Sequence, residues 1–333
     1  MRLFRFLLLA ASLAAITAAT AKAEPAHVKA HAIHAFEVGT ENTQFGRLRF
    51  IGGLALTSEN PLFGAWSSVR FLADGQHFIG VFDTAHWLQG RIERDAEGRL
   101  SGLSDVTIVP MRDKSGRTDT PKWLMDAESM ALRGNDVLVG FEGRHRIDVY
   151  PGGDLAQSVP KRSLSMLIPP GKLRRNGGIE AMAVVPDTAE AGPLAGAAVI
   201  VSEYSLDDAG NLLAAILDGP EKGRFSVVRH DGFDVTDSAF LPNGDLLLLE
   251  RRFTLATGIA MRIRRIPGGD IRPGALVDGE ELLRADMHYQ IDNMEGMDVV
   301  RGPDGSIRIM LVSDDNHFVI QRTLLLEFEL LPE

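Results

Sequence analysis

Short apolar runs, each closed by an acid, punctuate the chain: "HFIGVFD" (77–83), "DVLVGFE" (136–142), "AAVIVSE" (197–203), "DLLLLER" (245–251) and "RIMLVSDD" (308–315). The turn signals "ADG", "RGND", "PNGD" and "GPDG" separate the runs from their neighbours. Runs of this length between such turns predict strands and hairpins. Beyond the first two dozen residues no long stretch holds a 3.6-residue period, so few helices are expected.

A second phrase precedes most of these runs and repeats along the chain. "SSVRFLAD", "ESMALRGN", "EAMAVVPD" and "TDSAFLPN" align without gaps on the turn that follows, and "EGMDVVRGPD" aligns with two extra residues. The leading positions are Ser67, Glu128, Glu180, Thr236 and Glu295, at spacings of 61, 52, 56 and 59. Each period holds about four strand-like runs, the content of one propeller blade. The expected fold is therefore an all-β propeller of five blades, with six possible and a pair of β-sandwich sheets as the alternative. The last period supplies strands near 295–301, 307–314 and 320–330 and lacks a fourth. "GRLRFIGGLAL" (46–56) is expected to fill it and close the ring from the N-terminal side. Closure of this kind leaves few free sheet edges.

If each repeat opens with the innermost strand, its leading side chains ring one mouth of the central channel. The following strand returns antiparallel, so its end lies beside the start of the first. Those ends are Asp83, Glu142, Glu203, Glu250 and Asp314-Asp315. Carboxylates crowded this way either take up protons or share a cation. Three carboxylates, two hydroxyls and water form an all-oxygen set. Ca²⁺ suits it better than Zn²⁺, and Mg²⁺ comes second because it demands stricter octahedral geometry. The expected metal group is Ser67, Glu128, Glu180, Thr236 and Glu295, with Asp83, Glu142 and Asp315 nearby. Glu203, Glu250 and Asp314 are candidate proton acceptors.

Arg144, Arg146, Arg251 and Arg322 follow the second strands, as does His317. Arginine forks match phosphate and carboxylate oxygens, so these five residues are candidate substrate contacts; the arginines could equally pair with the neighbouring acids. "HVKAHAIH" places His27, His31 and His34 at spacings that share one face of a helix and could bind a metal, although Val28 and Ile33 also suit a strand. No G-x-S-x-G elbow, Walker loop or G-x-G-x-x-G fingerprint occurs.

Composition narrows the partners. Arg2 and Arg5 precede an apolar stretch from Phe6 to Ala19, and "AKA" (21–23) is a small-x-small cleavage site. Residues 1–23 read as a secretory signal peptide cut after Ala23, leaving 24–333 as the propeller domain in the periplasm or outside the cell. Loss of Arg2, Arg5 and Lys22 would carry the formal charge from −10 to −13. An acidic surface argues against nucleic acid or anionic lipid as the main partner and is compatible with a bound cation; the expected partner is a small anionic, phosphorylated substrate. No later stretch is apolar enough to span a membrane. The chain has no Cys, so disulfides and thiol nucleophiles are excluded.

The phrases "DAESMAL…GFEGRHRIDVY", "NGGIEAMAVVPD", "DSAFLPNGDLLLLERRF" and "NMEGMDVV…SDDNHFVIQRTLLLEFEL" resemble the bacterial phytase-like family named for an esterase-like activity of phytase. The resemblance covers nearly the whole chain after residue 23. It implies hydrolysis of a phosphate ester, since phytases of the propeller type are calcium-dependent phosphomonoesterases. The order hydroxyl, Glu, Glu, hydroxyl, Glu in the ring is also similar to five-bladed calcium-dependent apyrases, in which one residue per blade converges on the ion. Thr236 stands where that order has Ser, so Asp237 or Ser238 would be the ligand if the register slips. The functions in view are a phosphate-ester or phosphoanhydride hydrolase, a lactonase-like or carboxyl-ester hydrolase on the same metal, and a non-catalytic metal-stabilised binding propeller.

Overall fold

A computed structural model describes residues 24–302 and 304–332. The proposed signal peptide lies outside the described residues. Five sheets follow one another along the chain. Blade 1 contains Trp66–Phe71, His77–Phe82, His86–Arg94 and Leu100–Pro110, and blade 2 contains Ala127–Arg133, Asp136–Phe141, Arg146–Pro151 and Arg162–Leu164. Blade 3 contains Ile179–Val184, Ala198–Leu206, Leu212–Ile216 and Gly223–Val227, with Leu276–Val277 added in parallel at its outer edge. Blade 4 contains Asp234–Phe240, Leu246–Thr254, Gly258–Ile266 and Glu280–Ala285. Blade 5 takes Asn293–Arg301, Ile307–Asp314 and Thr323–Leu330 from the end of the chain and Leu48–Ser58 from its beginning.

Leu48–Ser58 runs antiparallel to Thr323–Leu330, from Thr323 opposite Leu56 to Leu330 opposite Leu48. This is the expected closure, and it makes the fold a five-bladed propeller. Val28–Ile33 then adds a further outer strand to blade 5. The histidine segment is therefore extended. Residues alternate sides of a strand, so His34 falls opposite His27 and His31, and the helical spacing brings nothing together. Among the described residues no helix is long and apolar enough to cross a membrane.

The continuous apolar character of the second strands has a simple cause. Each blade is covered on both faces by its neighbours, so both sets of alternating side chains are buried. In blade 4, Leu246 and Leu248 pack toward blade 3 while Leu247 and Leu249 pack toward blade 5. In blade 5, Ile309 and Leu311 face blade 4, and Met310 and Val312 face blade 1. The core is thus five apolar seams, one between each pair of blades.

Candidate functional site

The innermost strands present one backbone edge, rather than a face, to the central channel. Regular alternation would send their side chains into the two neighbouring seams. Each strand breaks that alternation at one point. In blade 1, Trp66 pairs with Phe82 and Ser68 with Val81, leaving Ser67 as an extra residue. The same slip isolates Glu128 between Ala127 and Ser129, and Glu180 between Ile179 and Ala181. It isolates Thr236 between Val235 and Asp237, and Glu295 between Met294 and Gly296. All five leading positions of the repeat are therefore bulge residues. A bulge re-aims its side chain out of the pleat, and in every blade the re-aimed residue bears an oxygen. Gly296 follows the last bulge for steric reasons: a Cβ there would stand 2.5 Å from Val312 Cγ2 and 3.2 Å from the Val69 backbone nitrogen of blade 1.

The electrostatics show which acids share this mouth. Burial pushes Glu180 well above the ordinary carboxylate range, and Glu128, Glu203, Glu142 and Glu295 push it further. Burial does the same to Glu128, reinforced by Asp126, Glu142 and Asp83. Glu295 is raised by burial against the pull of Arg251. Burial lifts Glu203 to about 8 against the same arginine, with Glu295 and Asp234 adding to the rise. Asp314 is lifted to about 7, again chiefly by burial, while the Asn316 N–H pulls it down and Glu295 and Asp83 push it up. One oxygen of Asp83 is buried without any hydrogen-bond partner, while its other oxygen accepts from Lys122 Nζ at 3.1 Å.

Among the described residues no group of three or more His, Asp or Glu side chains is set to hold a metal ion. The acids share one region without gripping a common point. The donor set is nonetheless all oxygen, and one Asp83 oxygen is buried without a hydrogen-bond partner. Chemically it fits a hard cation.

Several expected site residues have other tasks. Glu250 is wholly buried; Arg262 Nε reaches one of its oxygens at 2.5 Å, and Arg264 takes both at 2.8 and 2.6 Å. With both oxygens taken by two guanidinium groups, Glu250 is a structural ion-pair residue. Glu142 accepts the Gly177 and Gly178 N–H groups at 2.7 and 2.6 Å, tying blade 2 to the loop that enters blade 3. Asp315 binds the His317 N–H at 3.0 Å and the Thr323 hydroxyl at 2.8 Å, which shapes the loop after Asp314. Thr236 donates its hydroxyl to the Met294 carbonyl at 2.9 Å, leaving only lone pairs for a ligand.

The arginines divide as well. Arg251 stands between Glu203 at 3.6 Å and Glu295 at 3.3 Å, and its Nε is buried without a partner. Arg146 is held by Asp148 at 2.7 Å and lies 3.8 Å over the Phe141 ring. Arg322 is bound to Gln290, the Ile291 carbonyl and Asp292. Arg146 and Arg322 are therefore spent on acids and turns rather than aimed at a substrate. Arg144 and His317 are exposed on the loops of the same face.

The sequence reading missed what lies below the ring. Arg70 crosses the channel from blade 1 to Asp237 of blade 4, with Nη1 at 2.8 Å and Nη2 at 2.7 Å from the two carboxylate oxygens. Its remaining hydrogens go to carbonyls of Met297 and Met182 at 2.8 Å and of Ser238 at 3.1 Å. One guanidinium thus joins four of the five blades and plugs the channel. Asp237 is consumed by this pair, so it is no alternative ligand for the mouth. Asp298 of blade 5 lies beside the plug; burial pushes it to about 6, and Arg70 holds it down. The signal was present in the aligned repeat, where Arg70 and Asp298 occupy a column otherwise filled by Ala131, Ala183 and Ala239.

A family model described as "Phytase-like: Esterase-like activity of phytase" matches residues 61–317, from the loop before the first bulge to the loop after Asp315. The chain belongs to this family. The comparison with curated proteins returned no match. Among solved structures, the PQQ-bound aldose sugar dehydrogenase from Streptomyces coelicolor is similar at 14% identity and TM-score 0.42, covering 92% of this chain and 99% of that one. Glutaminyl cyclase from Myxococcus xanthus is similar at 9% identity and TM-score 0.39, over 77% and 88% of the two chains. The Dos1 propeller follows at 12% identity and TM-score 0.35, over 76% and 54%. At this distance none of them bears on substrate. Family membership supports a phytase-like or esterase-like hydrolase acting on a small substrate.

Proposed function

We propose that this phytase-like protein is a calcium-dependent hydrolase of phosphate esters or phosphoanhydrides that works outside the cytoplasm. The observation carrying the proposal is the five-fold bulge, which re-aims one oxygen-bearing side chain per blade. Ser67, Glu128, Glu180, Thr236 and Glu295 would hold the ion, with Asp83 beside them. Burial raises Glu128, Glu180 and Glu295, neighbouring acids add to the rise, and a cation among them would relieve it. When bound, calcium supplies a positive charge against the ester oxygen.

The protein's own residues would do the rest. In the metal-free chain burial raises the Glu203 carboxyl to about 8 and that of Asp314 to about 7, which makes them the candidate proton carriers. Arg251 stands between Glu203 and Glu295, and its buried Nε has no hydrogen-bond partner. It would meet the anionic oxygen of the substrate. Arg144 remains available at the rim. The plug of Arg70 and Asp237 closes the floor, so substrate enters and product leaves by the same mouth. The N-terminal leader pattern supports a location outside the cytoplasm.

A carboxyl-ester or lactone substrate is the second reading, favoured by the apolar side chains of Phe253, Leu255 and Val319 exposed on loops of the same face. The deciding experiment assays purified protein with p-nitrophenyl phosphate, nucleotides, phytate and lactones, with calcium and with chelator. Phosphate release that vanishes with chelator is the expected result. Lactone opening alone would move the assignment to the second reading. No turnover, with a melting point that still responds to chelator, would leave a metal-stabilised binding propeller.

A further inference from the structure

Apolar side chains crowd one side of the mouth. Phe253, Leu255, Met287, Phe318, Val319 and Ile320 are exposed, Leu255 at 97% and Val319 at 96%. They come from three loops on the face where the bulges open, and contacts join those loops. A Cβ on Gly258 would meet Met287 Cγ at 2.9 Å, which seats Met287 on the hairpin of Phe253 and Leu255. Arg322 reaches Gln290 at 2.7 Å and the Ile291 carbonyl at 2.9 Å, which lays the Phe318–Ile320 loop against the one carrying Met287. The patch is also continuous with the acids. Phe253 lies two residues beyond Arg251 on the same side of its strand, roughly 7 Å outward. The Phe318–Ile320 loop begins at Asp314. An apolar patch of this kind bordering a polar site marks a binding surface.

Charge decides what the patch covers. Lys122 is bound to Asp83 and Asp126, Arg146 to Asp148, Arg251 to Glu203 and Glu295, and Arg322 to Asp292. Arg144, Arg174 and Arg175 on the loops of this face are exposed and held by no carboxylate among the described residues, so an anionic head has cations to meet while the lip itself offers apolar surface. Resting on the hydrolase reading above, we infer that the substrate is an amphiphilic ester. Its head enters the acid ring, and its acyl or alkyl arm lies on the lip formed by Phe253, Leu255, Met287 and the Phe318–Ile320 loop.

Non-hydrolysable alkylphosphonates test this without turnover. Methyl-, butyl- and octylphosphonate, below their micellar concentrations, are titrated into the calcium-loaded protein by calorimetry. Affinity is expected to rise about twofold to fourfold per added methylene. In the Leu255→Ser, Val319→Ser double variant the rise should flatten while methylphosphonate binding is unchanged; both side chains are exposed, so folding is unaffected. No rise in the wild type, no binding at all, or an undiminished rise in the variant overturns the inference. So does binding only to phosphatidylcholine vesicles, or a wild-type dimer in light scattering that the variant dissociates. Chain-length-dependent binding without hydrolysis of any ester would overturn the hydrolase reading and leave the lip standing. Hydrolysis indifferent to chain length would do the reverse.

Discussion

Metal-free protein should lose stability as pH rises from 5 to 8, and Glu203 lets the size of the loss be worked out. Its carboxyl is raised from 4.5 to about 8, chiefly by burial. Below pH 4.5 the group is neutral in both the folded and unfolded states and costs nothing. Between 4.5 and 8 the unfolded chain releases the proton while the folded one keeps it, so folding is increasingly opposed. Above pH 8 the penalty is complete. At 1.36 kcal/mol for each pH step the ceiling is about 5 kcal/mol. With an unfolding entropy of about 2.1 cal/mol/K per residue, this corresponds to roughly 7 °C in melting temperature. Asp314, raised to about 7, acts in the same direction, and both groups feel Glu295. Their contributions therefore overlap rather than add. Acids held low by hydrogen bonds, such as Asp74, Asp113 and Asp304 at about 2, lose their stabilising effect only in stronger acid and leave this window clear. The assay is thermal unfolding in chelator at pH 5, 6, 7 and 8, for wild type and Glu203→Gln. A melting point that falls with pH in the wild type and falls less in the variant is expected. A flat or rising profile, or identical slopes, would refute the reasoning.

Other consequences are simpler to read. Replacing Arg70 with Met strands Asp237 without its cation and should cost about 3–5 kcal/mol, visible in urea unfolding; adding Asp237→Leu should recover most of the loss. A single-variant loss below about 1 kcal/mol would mean that the plug carries little of the fold's stability. Glu142→Ala leaves the Gly177 and Gly178 N–H groups unpaired and should cost about 1–3 kcal/mol. Hydrogen exchange should localise the loosening to the loop between blades 2 and 3, and protection unchanged there would contradict the anchor role.

The blade count was legible because a propeller repeats its physics. Both faces of every blade are buried, so the second strands read as unbroken apolar runs, and the repeated phrases recur at spacings of 52 to 61 residues. The closing strand was legible as the missing member of the last period. What the repeat could not show was side-chain partnership. Glu203 and Glu250 both end second strands, yet Glu203 opens on the mouth while Glu250 is enclosed by Arg262 and Arg264 on the neighbouring strand. Those arginines sit in a run, "MRIRRI", that gives no hint of which acid they serve. Arg70 was overlooked because the leading position of each repeat drew attention, while its own column held three alanines and an aspartate. The histidine segment misled through its helical spacing, which an outer strand position overrides.

Calcium titration of chelator-stripped protein tests the five-bulge ring most directly, comparing wild type with Glu180→Gln by calorimetry. The Glu180 carboxyl is pressed by Glu128, Glu203, Glu142 and Glu295 together, so it should be the side chain an ion relieves most. One calcium per chain is expected in the wild type, with affinity at least tenfold weaker in the variant, equivalent to about 1.4 kcal/mol. No calcium uptake by the wild type, or the same affinity in both proteins, would contradict it.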